Sequence, residues 1–178
     1  MHMADALVSP AVGVTMAAVS VGAIAYSVVK MKKEEDFDEK KIPLMAVSGA
    51  FVFAAQMINF TIPGTGSSGH IGGGILLAAL LGPYPALLTI SAVLLIQCLF
   101  FADGGLLALG CNIFNMGIIP CLFAYPLIFK PIAGKVLSNG RIMAASVFAV
   151  VIGLQAGAFG VVLETSASNV TAPPFGTF

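Results

Sequence analysis

Residues 86–102 read ALLTISAVLLIQCLFFA, an apolar stretch without a charged side chain. Such a stretch is typical of a helix that crosses the hydrocarbon core of a bilayer, which takes roughly 17 to 25 residues. The rest of the chain has the same character, with 58% hydrophobic residues, 9% charged residues and a mean hydropathy of +1.02. Soluble domains carry about 25% charged residues. We therefore expect an all-α, polytopic integral membrane protein, a bundle of transmembrane helices.

Further apolar stretches flank this one, at about 7–31, 42–60, 71–81 and 142–163, and another follows an irregular region at 110–115 and ends near 129. Together they predict about six transmembrane segments in a single transmembrane domain over residues 1–178. The stretch at 71–81 is about half as long as a full span. Residues 61–70 before it are rich in Gly, Ser and Thr, and non-helical backbone is tolerated at membrane depth only where protein or a cavity covers it. We therefore predict that the loop 61–70 dips into the bundle and carries His70 with it.

The basic residues predict an orientation. Five lysines lie at 30–41 and three more basic residues at 130–141, whereas 61–70 and 103–112 contain neither Lys nor Arg. With six passes both basic loops lie on one face, which the positive-inside rule assigns to the cytoplasm. The N-terminus, the His70 loop and the tail then lie outside the cell membrane. Because no Lys or Arg precedes Lys30, the start does not resemble a signal peptide, and we expect it to be retained.

The two histidines, His2 and His70, suggest metal chemistry. The amine of Met1, the amide nitrogen of His2 and the Nδ1 atom of His2 can bind one ion in fused five- and six-membered chelate rings. His70 would supply a fourth nitrogen. Four nitrogens in a plane suit Ni(II) or Cu(II), with Co(II) as a further candidate, and do not suit tetrahedral Zn(II). Because the amide must lose its proton, affinity should fall as the pH falls.

Two simpler interpretations stay open at this stage. A histidine at position 2 is usually part of a frayed, solvated terminus, and a single loop histidine usually packs or donates a hydrogen bond. If His70 opened a helix, the positive end of the helix dipole would also oppose a cation there.

Other polar residues lie in or beside the apolar stretches. Amides between membrane helices usually hydrogen-bond across the interface, and we expect this of Gln56, Asn59 and Gln97. Asn112 and Asn115 lie beside the break at 103–111 and could surround a site. Asp5 could orient the His2 chelate or neutralise the ion. Asp103 and Glu164 fall near the predicted outer ends of helices, where we expect them to mark the membrane interface.

Several function classes are disfavoured. The Gly-rich loop 64–69 lacks the Lys of a nucleotide-binding P-loop. No catalytic triad or carboxylate pair is apparent, so we do not expect an enzyme. The net charge of zero gives no reason to expect nucleic-acid binding.

Four segments resemble the CbiM/NikM family, the substrate-binding membrane subunits of energy-coupling factor transporters for cobalt and nickel. They are MHMADALVSP at 1–10, GAFVFAAQMINF at 49–60, PGTGSSGH at 63–70, and ADGG at 102–105 with GCNIFNMG at 110–117. The resemblance covers nearly the whole chain. Family members usually continue beyond a segment like 172–178 with another apolar helix, and here the sequence stops.

The resemblance implies that Met1, His2 and His70 hold Ni(II) or Co(II) as the transported substrate, and that a polar shell surrounds them, made of Gln56, Asn59, Asn112 and Asn115. It also implies partners in the lipid bilayer and the cytoplasm: a transmembrane coupling (T) protein, cytoplasmic ATPase subunits and a small accessory membrane subunit. The chain itself would not hydrolyse ATP, and its metal would serve uptake and cobalamin biosynthesis. The residues alone leave three alternatives: a structural or regulatory helical subunit, a permease for a small organic solute, and a copper-handling protein.

Overall fold

The computed structural model describes residues 2–33, 41–63, 67–134 and 138–170. A short 3-10 turn, Asp5–Leu7, precedes helices α1 (Pro10–Lys33) and α2 (Lys41–Gln56). Two strands, β1 (Phe60–Ile62) and β2 (Ser67–Gly69), form an antiparallel hairpin. Helices α3 (Gly74–Leu81), α4 (Pro83–Phe101), α5 (Leu109–Ala133) and α6 (Asn139–Ser168) follow.

These helices confirm the predicted helical membrane bundle. Four of them, α1, α4, α5 and α6, are long and apolar enough to cross a bilayer. Helix α2 is apolar but has 16 residues, and α3 has 8, as the short stretch at 71–81 led us to expect. The core lies where α3, α4 and α5 meet, around Leu87, Ile90 and Leu94.

Two expected boundaries are wrong. The region 110–115 was expected to be irregular, but α5 already begins at Leu109. The last helix was expected to end near 163, but α6 continues to Ser168 and includes Glu164. The polar side chains at these places, Asn115 and Glu164, favoured the interpretation that an apolar span ended there, but they hydrogen-bond to each other between α5 and α6.

Helix α5 has an unusual middle section. Phe114–Phe129 has π-helical geometry and contains Pro120 and Pro126. A proline ring has no backbone N–H to donate and crowds the preceding turn, so wider turns relieve the clash.

Among its described residues, the predicted loop 61–70 enters the bundle only at the C-terminal end of the loop. Phe60 and Pro63 in the hairpin are exposed, whereas Gly69 is buried. Gly73 has a φ of 80°, and a Cβ there would lie 2.5 Å from the Cγ1 atom of Val52. Glycine at this position therefore lets the backbone after His70 pass close to Val52 on α2.

Candidate metal centre

The N-terminal segment, residues 2–7, packs against the bundle through His2, Met3 and Leu7, whereas residues 4–6 are exposed. His2 is 4% exposed and Met3 is fully buried. The Asn112 side chain holds the Met3 backbone at both polar atoms: Oδ1 accepts from the Met3 nitrogen at 2.7 Å, and Nδ2 donates to the Met3 oxygen at 3.2 Å. The backbone nitrogen of Gly105 donates to the same oxygen at 3.2 Å. The backbone of Met3 is therefore held by three hydrogen bonds, and the interpretation of a frayed terminus does not apply to His2.

The two histidines meet at this point. Their ring centroids are 4.6 Å apart and their planes are inclined by 29°. The Nδ1 atom of His70 lies 2.8 Å from the Ile71 carbonyl oxygen. Because a carbonyl can only accept, Nδ1 carries the proton and Nε2 keeps its lone pair. That Nε2 atom is buried, with no hydrogen-bond partner among the described residues.

Both rings are neutral at physiological pH. Burial, followed by the nearby His70 ring, lowers the pKa of His2 to about 3. Burial also lowers the pKa of His70 from its usual value. Because the neutral imidazole is the metal-binding form, neither histidine has to lose a proton before a metal ion binds.

A carboxylate lies next to His2, but it is Asp103 and not Asp5. Asp103 Oδ1 is 3.4 Å from His2 Nδ1, and Asn59 Nδ2 donates to Asp103 Oδ2 at 3.4 Å. Asp5 instead accepts from the backbone nitrogen of Ala108 at 2.9 Å and so holds the 103–108 loop. The expectation that Asp103 only marks the membrane interface is therefore incomplete, since its side chain is 16% exposed and also faces the site.

A chain of amides joins the histidine site to the loop. Gln56 Nε2 donates to the Gly72 oxygen at 2.7 Å, and Gln97 Nε2 donates to Gln56 Oε1 at 3.0 Å. Gln97 in turn interacts with the His2 ring. Gln56 was among the predicted shell residues, whereas Gln97 had been interpreted as an ordinary interhelical amide.

Asn115 lies one step further into the bundle. Its Nδ2 atom donates to Glu164 Oε2 at 2.7 Å and lies 4.0 Å from the Met3 sulfur. Glu164 is 6% exposed, so the expectation that it marks the membrane interface is wrong. Because it accepts a hydrogen bond from Asn115 on α5, the Glu164 side chain faces the interior of the bundle and not the membrane interface.

The predicted ligands are thus brought together as far as they are described. Met1, the first of them, lies outside the described residues. Within the described part of the chain, no group of three or more His, Cys, Asp or Glu side chains could hold a metal ion. An ion between His2 and His70 would therefore have to complete its coordination with donors of another kind, such as backbone nitrogens.

One sequence feature could have indicated that Asp103 lies near the site, namely the two glycines that follow it. Gly104 follows it with a φ of 85°, and a Cβ there would lie 2.9 Å from Asn112 Nδ2 and 3.4 Å from His2 Cδ2. An acid followed by two glycines next to an apolar span is typical of backbone that comes close to another segment.

Comparison with known proteins places this chain in a family. Residues 2–178 match the family model CbiM, described as the cobalt uptake substrate-specific transmembrane region. The chain belongs to the CbiM family. As in the sequence-based resemblance, the match extends over nearly the whole chain.

Relatives of known sequence and structure agree with this assignment. The fused nickel transport protein NikMN of Rhodobacter capsulatus is 34% identical over 165 residues, which are 92% of this chain and 46% of that protein. Two crystal structures, of a transition metal transporter and of a truncated one, are each 33% identical. They have TM-scores of 0.84 and 0.85, cover 99% of this chain, and are themselves covered over 75% and 79%.

This chain spans about half the length of the curated relatives that it matches. The relatives are named as metal transport proteins, which agrees with the expectation that this CbiM-family chain is a membrane component of nickel or cobalt uptake and not an enzyme.

Proposed function

We propose that this chain is the substrate-specific subunit of an energy-coupling factor importer, which binds Ni(II) or Co(II) outside the cell for uptake into the cytoplasm. Four nitrogens hold the ion: the Met1 amine, the amide nitrogen and Nδ1 of His2, and Nε2 of His70. The observation that carries the proposal is the burial of His2 against His70, 68 positions away in the sequence, with a lone pair of His70 left over.

The separation of the rings supports a planar arrangement. An imidazole centroid lies about 3.1 Å from a metal bound at roughly 2.0 Å. Two such rings would have centroids about 4.4 Å apart in adjacent positions of a square plane, about 5.1 Å apart in a tetrahedron and about 6.2 Å apart in opposite positions. The observed 4.6 Å is nearest to the adjacent positions of a square plane. In the proposed chelate the His2 ring and His70 are adjacent, because His70 lies opposite the amide nitrogen.

The names of the relatives support the choice of metal. The family description refers to cobalt and the Rhodobacter capsulatus relative to nickel, and neither refers to an organic solute or copper. We therefore favour Ni(II) and Co(II) over the alternatives that the residues alone left open.

We further propose that the chain acts as one transmembrane domain in a complex. Its partners are a transmembrane coupling protein, cytoplasmic ATPase subunits that supply the energy, and a small accessory membrane subunit. The N-terminus faces the outside, with the basic ends of α1 and of the α5–α6 connection in the cytoplasm. A cysteine placed at Asn169, at the outer end of α6, should react with a membrane-impermeant thiol reagent in intact cells, whereas one at Lys33 should react only after lysis.

Titration of the purified full chain with Ni(II) tests the metal site. We expect His2→Ala, His70→Ala and one additional residue before Met1 each to weaken binding by at least about 100-fold, since each removes a nitrogen or breaks a chelate ring. A diamagnetic Ni(II) complex with the colour of a square-planar ion should form only in the unchanged protein. Wild-type affinity in the chain with the additional residue would refute the chelate.

A further inference from the structure

Gln97 on α4 ends a relay of amides whose direction is chemically fixed. The Gly72 oxygen is a backbone carbonyl and can only accept, so Gln56 must turn its NH₂ group toward it. Gln56 then offers only its oxygen to Gln97, which donates from Nε2. The relay therefore leaves Oε1 of Gln97 as a pure acceptor at its far end.

This acceptor is buried next to the metal site. Gln97 is fully buried, and its Oε1 atom has no hydrogen-bond partner of good geometry among the described residues. Besides Gln56, the Gln97 side chain interacts with the His2 ring. A buried acceptor is costly to leave unpaired, so an N–H of that ring is the group expected to satisfy it.

We propose that Gln97 is a positioning residue that takes the Nε2–H of His2 and so holds the imidazole in the tautomer whose Nδ1 is free for the metal. The inference rests on the proposed function in one respect, namely that the chelate uses Nδ1. The same relay ends at Gly72, two residues beyond His70. Gln97 and Gln56 therefore set the tautomer of one histidine and the position of the loop that carries the other.

Asp103 competes for the same ring. Its Oδ1 atom lies 3.4 Å from His2 Nδ1, which is too far for a good hydrogen bond but close enough to attract a proton on that nitrogen. Without Gln97, this carboxylate would draw the proton to Nδ1 and block the chelating nitrogen.

Nitrogen-15 NMR of the metal-free full chain in detergent, with labelled histidine at neutral pH, reads the tautomer directly. We expect mainly Nε2–H at His2 in the wild type and a shift toward Nδ1–H in Gln97→Met, which is similar in size but cannot accept. The Kd for Ni(II) should rise about tenfold in the same variant, as is typical when a partner of a ligating histidine is removed. Gln155→Met is the matched control, because Gln155 lies on an exposed face of α6, and both readouts should stay unchanged in it.

Gln56→Met is a second variant that leaves Gln97 in place. It frees the Gln97 amide to turn, so we expect a smaller tautomer shift in the same direction, and this variant decides the matter if Gln97→Met does not fold. A wild type with Nδ1–H at His2, or the wild-type tautomer ratio in the folded variants, would overturn the inference even if the Kd changed. Because the tautomer is measured without metal, its failure is separate from that of the proposed function, which His2→Ala with wild-type Ni(II) affinity would refute.

Discussion

Replacing Asn112 by Leu, which has a similar size, should release the N-terminal segment from the bundle. Asn112 is 1% exposed and makes two hydrogen bonds to the Met3 backbone, at 2.7 and 3.2 Å. The Met3 oxygen keeps a second donor in Gly105, but the Met3 nitrogen would be left buried without a partner. A buried donor without a partner costs about 1–3 kcal/mol.

We call the N-terminal segment seated when residues 2–7 are packed against the bundle. If only the seated form binds Ni(II), this cost lowers the apparent metal affinity. A loss of about 1–3 kcal/mol corresponds to a 5- to 150-fold change in an equilibrium constant. The apparent Kd rises by the factor by which the seated population falls. When the loss falls fully on the seated population, we therefore expect the Kd of Asn112→Leu for Ni(II) to rise by about 5- to 150-fold.

Calorimetric titration with Ni(II) measures the affinity, and amide hydrogen exchange at Met3 measures the seating without metal. Asn139→Leu is a suitable control, because Asn139 is exposed at the opposite end of α6. Slow exchange at Met3 together with the wild-type Kd in Asn112→Leu would refute the idea that this side chain seats the segment.

Three further predictions concern the surroundings of the site. Gly104→Ala should weaken Ni(II) binding about tenfold or more, because its φ of 85° disfavours a side chain and its Cβ would press on Asn112; Gly22→Ala, with no atom within 4 Å of the new Cβ, should bind as the wild type. Asp103→Asn should raise the Kd about three- to tenfold, since a carboxylate that is 16% exposed attracts a cation at a high effective dielectric constant; an unchanged Kd would exclude an electrostatic role. Acidification should release the N-terminal segment, because the pKa of His2 is about 3 in the packed segment and near 6.5 in the released one. The packed segment is fully stable above pH 6.5, and its stability falls by up to about 1.4 kcal/mol per pH unit toward pH 3. Amide hydrogen exchange would detect this loss.

The class of fold could be predicted from the sequence because helices that face lipid need long runs of apolar residues. An apolar run such as 86–102 predicts a helix that is buried or faces lipid. The half-length stretch at 71–81 correctly predicted a short helix that follows the loop. The pair His2 and His70 was also accessible, because the chain has no other histidines and their chemistry is specific.

Polar contacts between helices were not accessible in the same way. Glu164 and Asn115 are 49 positions apart, and their hydrogen bond depends on how α5 and α6 are rotated against each other. Mean hydropathy says nothing about rotation, and the weak amphipathic pattern of helices that face lipid on one side and protein on the other does not supply it. The roles of Gln97 and Asp103 were missed for related reasons. Gln97 faces His2 because of how α4 is rotated, and Asp103 adjoins His2 because of the path of the chain after α4.

The proposed ligand set has a consequence for charge that a site made of carboxylates would not have. Below the pKa of the terminal amine, about 7.7–8.0 in an ordinary peptide, loading releases one proton from the amine and one from the His2 amide. Two protons leave as one divalent ion enters, so the net charge of the site does not change. Both imidazoles are neutral throughout, since burial lowers the pKa of each. An apolar bundle can therefore enclose the ion without the large cost of burying an uncompensated charge. The nearby carboxylate of Asp103 is not needed to neutralise the bound ion and can attract the ion before it is bound.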